Sequence, residues 1–230
     1  MPGGSKGSLS ALGSIASQTR REMILDRLRL AISAGDLPPG THLAEVDLSE
    51  ALGVSRGTLR EALRHLQQEG LVSADARGRL SVRVVSEREV DDIFAVRRAL
   101  ESLALELVCE RADHAAAAVR LGEALEAMQR TEGDFAAQVD ADLAFHELLC
   151  ELSGNETLVH GWRSVSGLTR AAVTAAGPET ALHNMAYERH APLVAFVAAG
   201  DASGGADFLR THMSDAASRI VARMRDHAAV

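Results

Sequence analysis

The run from Leu48 to Leu63 (Leu-Ser-Glu-Ala-Leu-Gly-Val-Ser-Arg-Gly-Thr-Leu-Arg-Glu-Ala-Leu) constrains this chain more than any other stretch. Leu48, Ala51 and Leu52 fall on one face of a short helix, and Leu59, Ala62, Leu63 and Leu66 on one face of the next. Apolar residues three and four apart bury together, so the two helices are expected to pack against each other. Gly53 between them supplies the permissive backbone a tight turn needs, and Ser55 stands where a side chain can cap the following helix. Such a turn leaves Arg56, Thr58 and Arg60 near the outward start of the second helix. There they can enter a DNA major groove, where arginine engages guanine bidentately or clamps phosphates. The plain alternative is that these arginines are solvated surface charges; the turn and cap, and the hairpin that follows, weigh against it.

The flanking pattern completes a small domain over residues 18–86. Ile24, Leu28 and Ile32 repeat at helical spacing, predicting a helix over 19–34 that Gly35-Asp36-Leu37-Pro38-Pro39-Gly40 ends. A short helix is expected from Asp47, with Asp47 and Glu50 as a capping box, and a third over 56–69, closed by Gly70. Leu71-Val72 then reads as a short strand, Asp75 to Arg79 as a hairpin turn, and Leu80, Val82 and Val84 as the buried side of a second strand. Arg79, Ser81 and Arg83 alternate with them and make the other face cationic. At the tip, Gly78 allows close backbone approach to DNA with Arg77 and Arg79 beside it; an ordinary surface hairpin is the competing reading.

Beyond Ser86 nothing reads as strand. Helical segments are expected over 87–111, 113–130, 134–153, 155–176, 180–199 and 202–227, punctuated by Gly154, Gly177-Pro178 and Gly200. The predicted fold class is therefore mainly α: an N-terminal winged helix-turn-helix followed by an all-α antiparallel helical bundle over 87–230. Residues 1–17 are rich in Gly and Ser and read as a disordered tail rather than a signal peptide. No stretch of about 18 apolar residues occurs, so no membrane span is expected. Cys109 and Cys150 read as reduced thiols of a cytoplasmic protein. A formal net charge of −8 is unusual for a DNA binder until it is divided. Residues 1–86 carry 11 Lys and Arg against 9 Asp and Glu, whereas residues 87–230 carry 13 against 23. Only the first segment is suited to meet phosphate.

In the second segment Asp142 and His146 lie four residues apart, on one helix face. His190 and His212 sit on later helices, which an antiparallel turn around Gly200 can bring level. One carboxylate and three imidazoles suit a divalent Zn, Ni, Mn or Fe ion. Spacing alone leaves open that these are scattered surface or locally bonded histidines.

Several runs together resemble a known family. Leu37-Pro38-Pro39-Gly40, Leu43 to Leu48, Gly53-Val54-Ser55-Arg56, Arg60-Glu61-Ala62-Leu63 and Glu69-Gly70-Leu71-Val72 are similar to the GntR winged-helix domain. The resemblance implies that Arg56 and Arg60 carry most of the DNA contact. Gly57-Thr58 departs from the Thr-Pro frequent in the family and alters the entry to the helix. Asp142-Leu-Ala-Phe-His146, Ser153-Gly154-Asn155, Glu188-Arg-His190, Gly200-Asp201 and His212 resemble the FadR-like ligand-binding domain called FCD. Many members hold a divalent metal through such an Asp and three His, others bind ligand without one, and all four positions are filled here.

Arg97, in Val96-Arg97-Arg98-Ala99-Leu100-Glu101, matches a family helix near the pocket, where a guanidinium can hold an organic acid's carboxylate. A surface Arg97–Glu101 pair is the competing reading. Asn155 is a further effector-binding candidate, while Trp162 and Arg163 read as core or loop residues. The resemblance thus implies a homodimeric transcriptional regulator rather than an enzyme, one that binds double-stranded operator DNA and answers to a small carboxylate effector; repression is the first reading of its sign, with activation left open. The rivals are a DNA binder whose bundle only dimerises, and a metalloenzyme.

Overall fold

A computed structural model describes residues 20–131 and 133–228; the 1–17 tail lies outside the described residues. The head begins with helix α1 (Arg20–Ser33), followed by α2 (Glu45–Leu52) and α3 (Arg56–Gln68). An antiparallel hairpin, β1 (Val72–Ala74) and β2 (Leu80–Val82), completes it with Val72 opposite Val82. Ile24, Leu28 and Ile32 of α1 close over Leu59, Leu63 and Leu66 of α3 and over Leu71, Val72 and Val82. The three α3 leucines are fully buried, each worth roughly 1.5–3 kcal/mol of transfer free energy.

The second hydrophobic cluster belongs to seven helices: α4 (Glu87–Cys109), α5 (His114–Gln129), α6 (Phe135–Leu152), α7 (Glu156–Ala175), α8 (Pro178–Asn184), α9 (Tyr187–Ala199) and α10 (Ala202–Ala228). Leu105 of α4, Leu121 of α5, Phe145 and Leu149 of α6, Trp162 of α7, Leu193 of α9 and Leu209 of α10 are buried in it. Helix α4 packs along α10, α7 and α6, and α5 along α9 and α6. Among the described residues no helix is long and apolar enough to cross a membrane.

Four expectations change. Helix α2 starts at Glu45 rather than Asp47, with Ala44 as its N-cap and no side-chain cap, so the Asp47–Glu50 capping box does not form. Glu45 and Asp47 instead sit in the first turn, where the helix dipole favours them. Ala51 is exposed rather than packed, because Leu48 and Leu52 alone are close enough to lean on the head core. Strand β2 ends at Val82, and Val84 is 61% exposed, as the chain turns away toward the Ser86 capping box of α4. The predicted 180–199 helix is two helices, α8 and α9, separated by Met185 and an extended Ala186 (φ −61°, ψ 144°).

The wing has a third partner that periodicity does not show. The segment before α2 lies on the free edge of β2, with Leu43 N donating to Leu80 O (2.8 Å) and Val82 N to Thr41 O (2.9 Å). Head and bundle meet backbone to backbone: a Cβ on Gly70 would lie 2.6 Å from the Gly167 carbonyl group, and one on Gly167 2.5 Å from the Glu69 carbonyl oxygen. No side chain fits there. Beside that contact, Arg29 Nε donates to Glu69 Oε2 at 3.0 Å.

Candidate DNA-reading surface and metal centre

Ser55 caps α3 as its position suggests, its Oγ accepting from Thr58 N at 3.2 Å. The Thr58 hydroxyl lies 2.8 Å from the same oxygen, so it is turned back onto the cap. Gly53 ends α2 in the left-handed region (φ 63°), as the tight turn requires. Arg56 is exposed, and its charge is felt by Glu45. Arg60, by contrast, is held by Glu45 of α2, with Nε 3.1 Å from Oε1 and Nη2 2.8 Å from Oε2. That hydrogen bond and the charge behind it lower the Glu45 carboxyl below its ordinary range and raise the Arg60 guanidinium.

The wing tip is organised by Asp75. Its Oδ1 accepts from Arg77 N (2.8 Å) and Arg79 N (2.9 Å), and its Oδ2 from Arg79 Nε (2.7 Å). The bonds from Arg79, backbone first and side chain second, hold this carboxyl below its usual range. Gly78 adopts φ 75° with nothing within 4 Å of where a Cβ would stand, so the tip is open to an approaching surface. Arg60 and Arg79 are thus aimed by hydrogen-bonded carboxylates, while Arg56 only feels Glu45 through its charge. Glu45 and Asp75 were not among the expected site residues. Exposed ion pairs of this kind are weak, and a phosphate or base edge can take the carboxylate's place.

In the bundle, the expected ligand set does converge. His146 of α6, His190 of α9 and His212 of α10 present ligand atoms that all lie within 4.8 Å of one another. His146 Nε2 and His190 Nε2 are 3.2 Å apart, and Asp142 Oδ1 is 3.1 Å from His190 Nε2 and 3.9 Å from His146 Nε2. Two imidazoles on one ion, each about 2.1 Å from it, have nitrogens roughly 3.0–3.4 Å apart. The donor set therefore fits a divalent cation. The outer bonds fix the ring orientations: Nδ1 of His146 is 2.6 Å from Glu101 Oε2, and Nδ1 of His190 is 3.1 Å from Ala186 O. Both rings turn Nε2 inward, as ligating histidines do when a second group holds the other nitrogen. The α8–α9 break serves this end, since Ala186 N-caps α9 and its carbonyl anchors His190.

Glu101, fully buried, is the hub beneath this cluster. Besides His146, it accepts from Arg97 Nε and Trp162 Nε1, each at 3.1 Å to Oε1. Burial works to raise this carboxyl, but the charges of His146 and Arg97 outweigh it and the group sits below its ordinary range. Asp142 is also held well below, since the bond from His190 and the charge of His146 overcome its burial. His212 shifts well downward, through burial first and then the neighbouring His190 and His146.

The Arg97–Glu101 pair is consequently not a surface pair: Arg97 is 3% exposed and Glu101 0%. One guanidinium nitrogen of Arg97, Nη2, is buried without an acceptor. Arg97, Asp142, His146 and His212 line a chamber of about 20 Å³ together with Asn184 and Met185. Asn155 is not on its wall. It is the N-cap of α7, with Oδ1 accepting from Leu158 N at 3.1 Å. Trp162 is core, as read, and Arg163 is an exposed residue paired with Glu147 and Glu151. Cys109 and Cys150 are free thiols, both pushed upward by burial.

Comparison with known proteins agrees with this two-part fold. Residues 20–82 match the family model described as bacterial regulatory proteins, gntR family, and residues 92–215 match the FCD domain. The chain is 35% identical over 136 residues to the HTH-type transcriptional regulator YdhC of Bacillus subtilis, an alignment spanning 58% of this chain and 60% of that protein. It is 28% identical over 189 residues to a protein of Paenarthrobacter nicotinovorans described as a D-xylose utilization operon transcriptional repressor, covering 81% of this chain and 80% of that one. Among solved structures, a GntR transcriptional regulator from Rhodococcus sp. RHA1 superposes with a TM-score of 0.68 at 26% identity, covering 88% of this chain and 98% of the other.

Proposed function

The chain belongs to the GntR family of bacterial transcriptional regulators and carries an FCD domain, and on that premise we propose a metal-dependent, acid-responsive operator-binding repressor. In this reading residues 18–86 contact operator DNA through Arg56, Arg60, Arg77 and Arg79, with Gly78 giving the wing its close approach. Thr58 acts by fixing the start of α3 rather than by touching a base. Residues 87–230 dimerise, so that two heads address two half-sites of a pseudo-palindrome. The repressor sense is supported by the Paenarthrobacter relative, which is described as a repressor.

The observation that carries the sensor half is the buried convergence of Asp142, His146, His190 and His212 on one point, with Glu101 orienting His146 from behind. A divalent cation held there supplies a Lewis-acidic centre for a ligand's oxygen atoms. Arg97 adds a charged donor whose Nη2 still lacks an acceptor, which suits a carboxylate. The chamber's 20 Å³ accommodates about one water molecule. An organic acid must therefore push its walls apart, and those walls come from α4 (Arg97), α6 (His146), α7 (Val173), α8 (Asn184) with the adjoining Met185, and α10 (His212). Ligand and DNA then act on each other reciprocally through the displaced helices.

The test is metal analysis of the purified protein followed by operator titration with and without chelator. The expected result is about one divalent ion per chain and a DNA affinity that answers to small carboxylates only in the metal-loaded form. A metal-free protein that binds DNA and ignores every acid would reduce the bundle to a dimerisation module.

A further inference from the structure

Where head and bundle meet, the chain forms a second cavity, open to solvent on one side and of about 320 Å³. Ile32 of α1, Leu71 and Val82 form apolar walls on the head side, and Thr174 of α7 lies on the bundle side. Two arginines line it from opposite modules. Arg83, just after β2, reaches Glu89 Oε1 with Nη2 at 3.3 Å, yet its Nε is buried with no acceptor. Arg223 of α10 lies 3.5 Å from Glu179 Oε2 through Nη2, and its Nε is likewise buried and unpaired. Five side-chain polar atoms are in that condition among the described residues, and two of them belong to arginines that line this cavity.

We propose that this junction cavity binds a small organic carboxylate with an apolar body, at a site separate from the Asp142–His cluster. A buried N–H without an acceptor is unfavourable, and a ligand oxygen that draws either guanidinium round toward the cavity relieves it. Guanidinium forks match carboxylates in shape and charge, and Ile32, Leu71, Val82 and Pro178 offer an apolar body a wall beside the hydroxyls of Ser33 and Thr174. The volume lies at the lower end of small-molecule sites, which begin at roughly 300 Å³. Glu179 is 86% exposed, so it is a loosely held internal competitor that can swing into solvent when the ligand's carboxylate arrives. The ligand touches the end of α1 and the wing on one side and α7, α8 and α10 on the other. Occupancy fixes the placement of the head on the bundle.

The experiment is calorimetric titration of the full-length protein in excess EDTA with acetate, hexanoate and benzoate, and with benzyl alcohol as the uncharged partner of benzoate. Saturable one-per-chain binding of hexanoate or benzoate is expected, with benzyl alcohol weaker by at least about tenfold. Arg83→Gln and Arg223→Gln should each weaken binding about tenfold, and Glu179→Gln should tighten it. Because loss of an arginine can loosen the junction, Thr174→Leu narrows the cavity while leaving both guanidinium groups, and it should weaken benzoate binding with the circular dichroism spectrum unchanged. The proposal is overturned by any of three results: no saturable binding of the three acids, binding unchanged in Thr174→Leu, or binding that survives both arginine substitutions and disappears in His212→Ala.

Discussion

Replacing Glu101 with Gln keeps the shape of the buried hub and removes its charge. Three donors converge on the carboxylate, from Arg97, Trp162 and His146. One amide oxygen can still accept from Arg97 and Trp162, but the amide NH2 then faces His146 Nδ1. His146 must give up the proton on that nitrogen or rotate, and either change spoils the inward presentation of Nε2. Arg97 meanwhile stays buried without its main counter-charge. Breaking a buried pair in this way costs about 3–5 kcal/mol. Asp142, whose charge also feels Arg97, puts the expected loss near the lower figure. For a chain of this size each kcal/mol moves the melting temperature by roughly 2–4 °C, so Glu101→Gln should melt about 6–12 °C below the parent in excess chelator. Affinity for Zn²⁺, measured by competition with a chelating dye, should fall about 10–100-fold, the usual effect of removing a group that orients a ligand. Trp162→Phe separates the two effects: it removes one donor and keeps the charge, so it should lose about 1–3 kcal/mol of stability with little change in metal affinity. A Glu101→Gln protein that melts within about 2 °C of the parent and binds Zn²⁺ within about threefold would refute the hub.

Acidification should destabilise the chelated protein in two stages. His212 is depressed in the folded state, so the unfolded chain takes up that proton first, and stability should fall as the pH drops below about 6.5. Asp142 and Glu101 are also depressed; their contribution is present above the ordinary carboxylate range, near pH 4, and is lost as the pH falls through their folded values. A melting temperature that rises between pH 7 and pH 5 would contradict this. Arg56→Ala should weaken operator binding by about 1–3 kcal/mol, read by fluorescence anisotropy, with the melting temperature unchanged; equal affinity for operator and scrambled DNA in the parent protein would remove Arg56 from base reading. Gly167→Ala would gain about 1 kcal/mol from helix propensity if the site were open. With the Glu69 carbonyl 2.5 Å from the new methyl group it should lose stability instead, in urea unfolding.

The head was legible because its signals are local. The Gly53 turn, the Ser55 cap and the period-3.6 leucines of α3 each act within a few residues, and they appear where the sequence puts them. The metal ligands were legible for a different reason: a His and an Asp one turn apart name their own chemistry, and the family resemblance supplied the two distant histidines. What stayed hidden depends on burial or on long-range contact. Arg97 and Glu101 have the same i,i+4 spacing whether on a surface or in a core, and only the packing of Trp162 and His146 around Glu101 distinguishes the two. Asn155 stands directly before α7, and its cap of that helix follows from that place. The α8–α9 break carries neither Gly nor Pro at Met185-Ala186, so no breaker marks it. Glu45 was invisible as a partner of Arg60 because 15 residues and a turn separate them.

The seam at Gly70 and Gly167 bears on how freely the two modules can be exchanged. Most interdomain surfaces can be retuned by swapping one side chain for another of similar size. This one offers no side chain to swap, because main chain rests on main chain on both sides. A chimera that grafts another reading head onto this bundle must bring a glycine to the position of Gly70, and a bundle offered to this head must bring one to the position of Gly167. Either module alone tolerates only partners with the same bare notch, so the two must be inherited, or transplanted, as a matched pair.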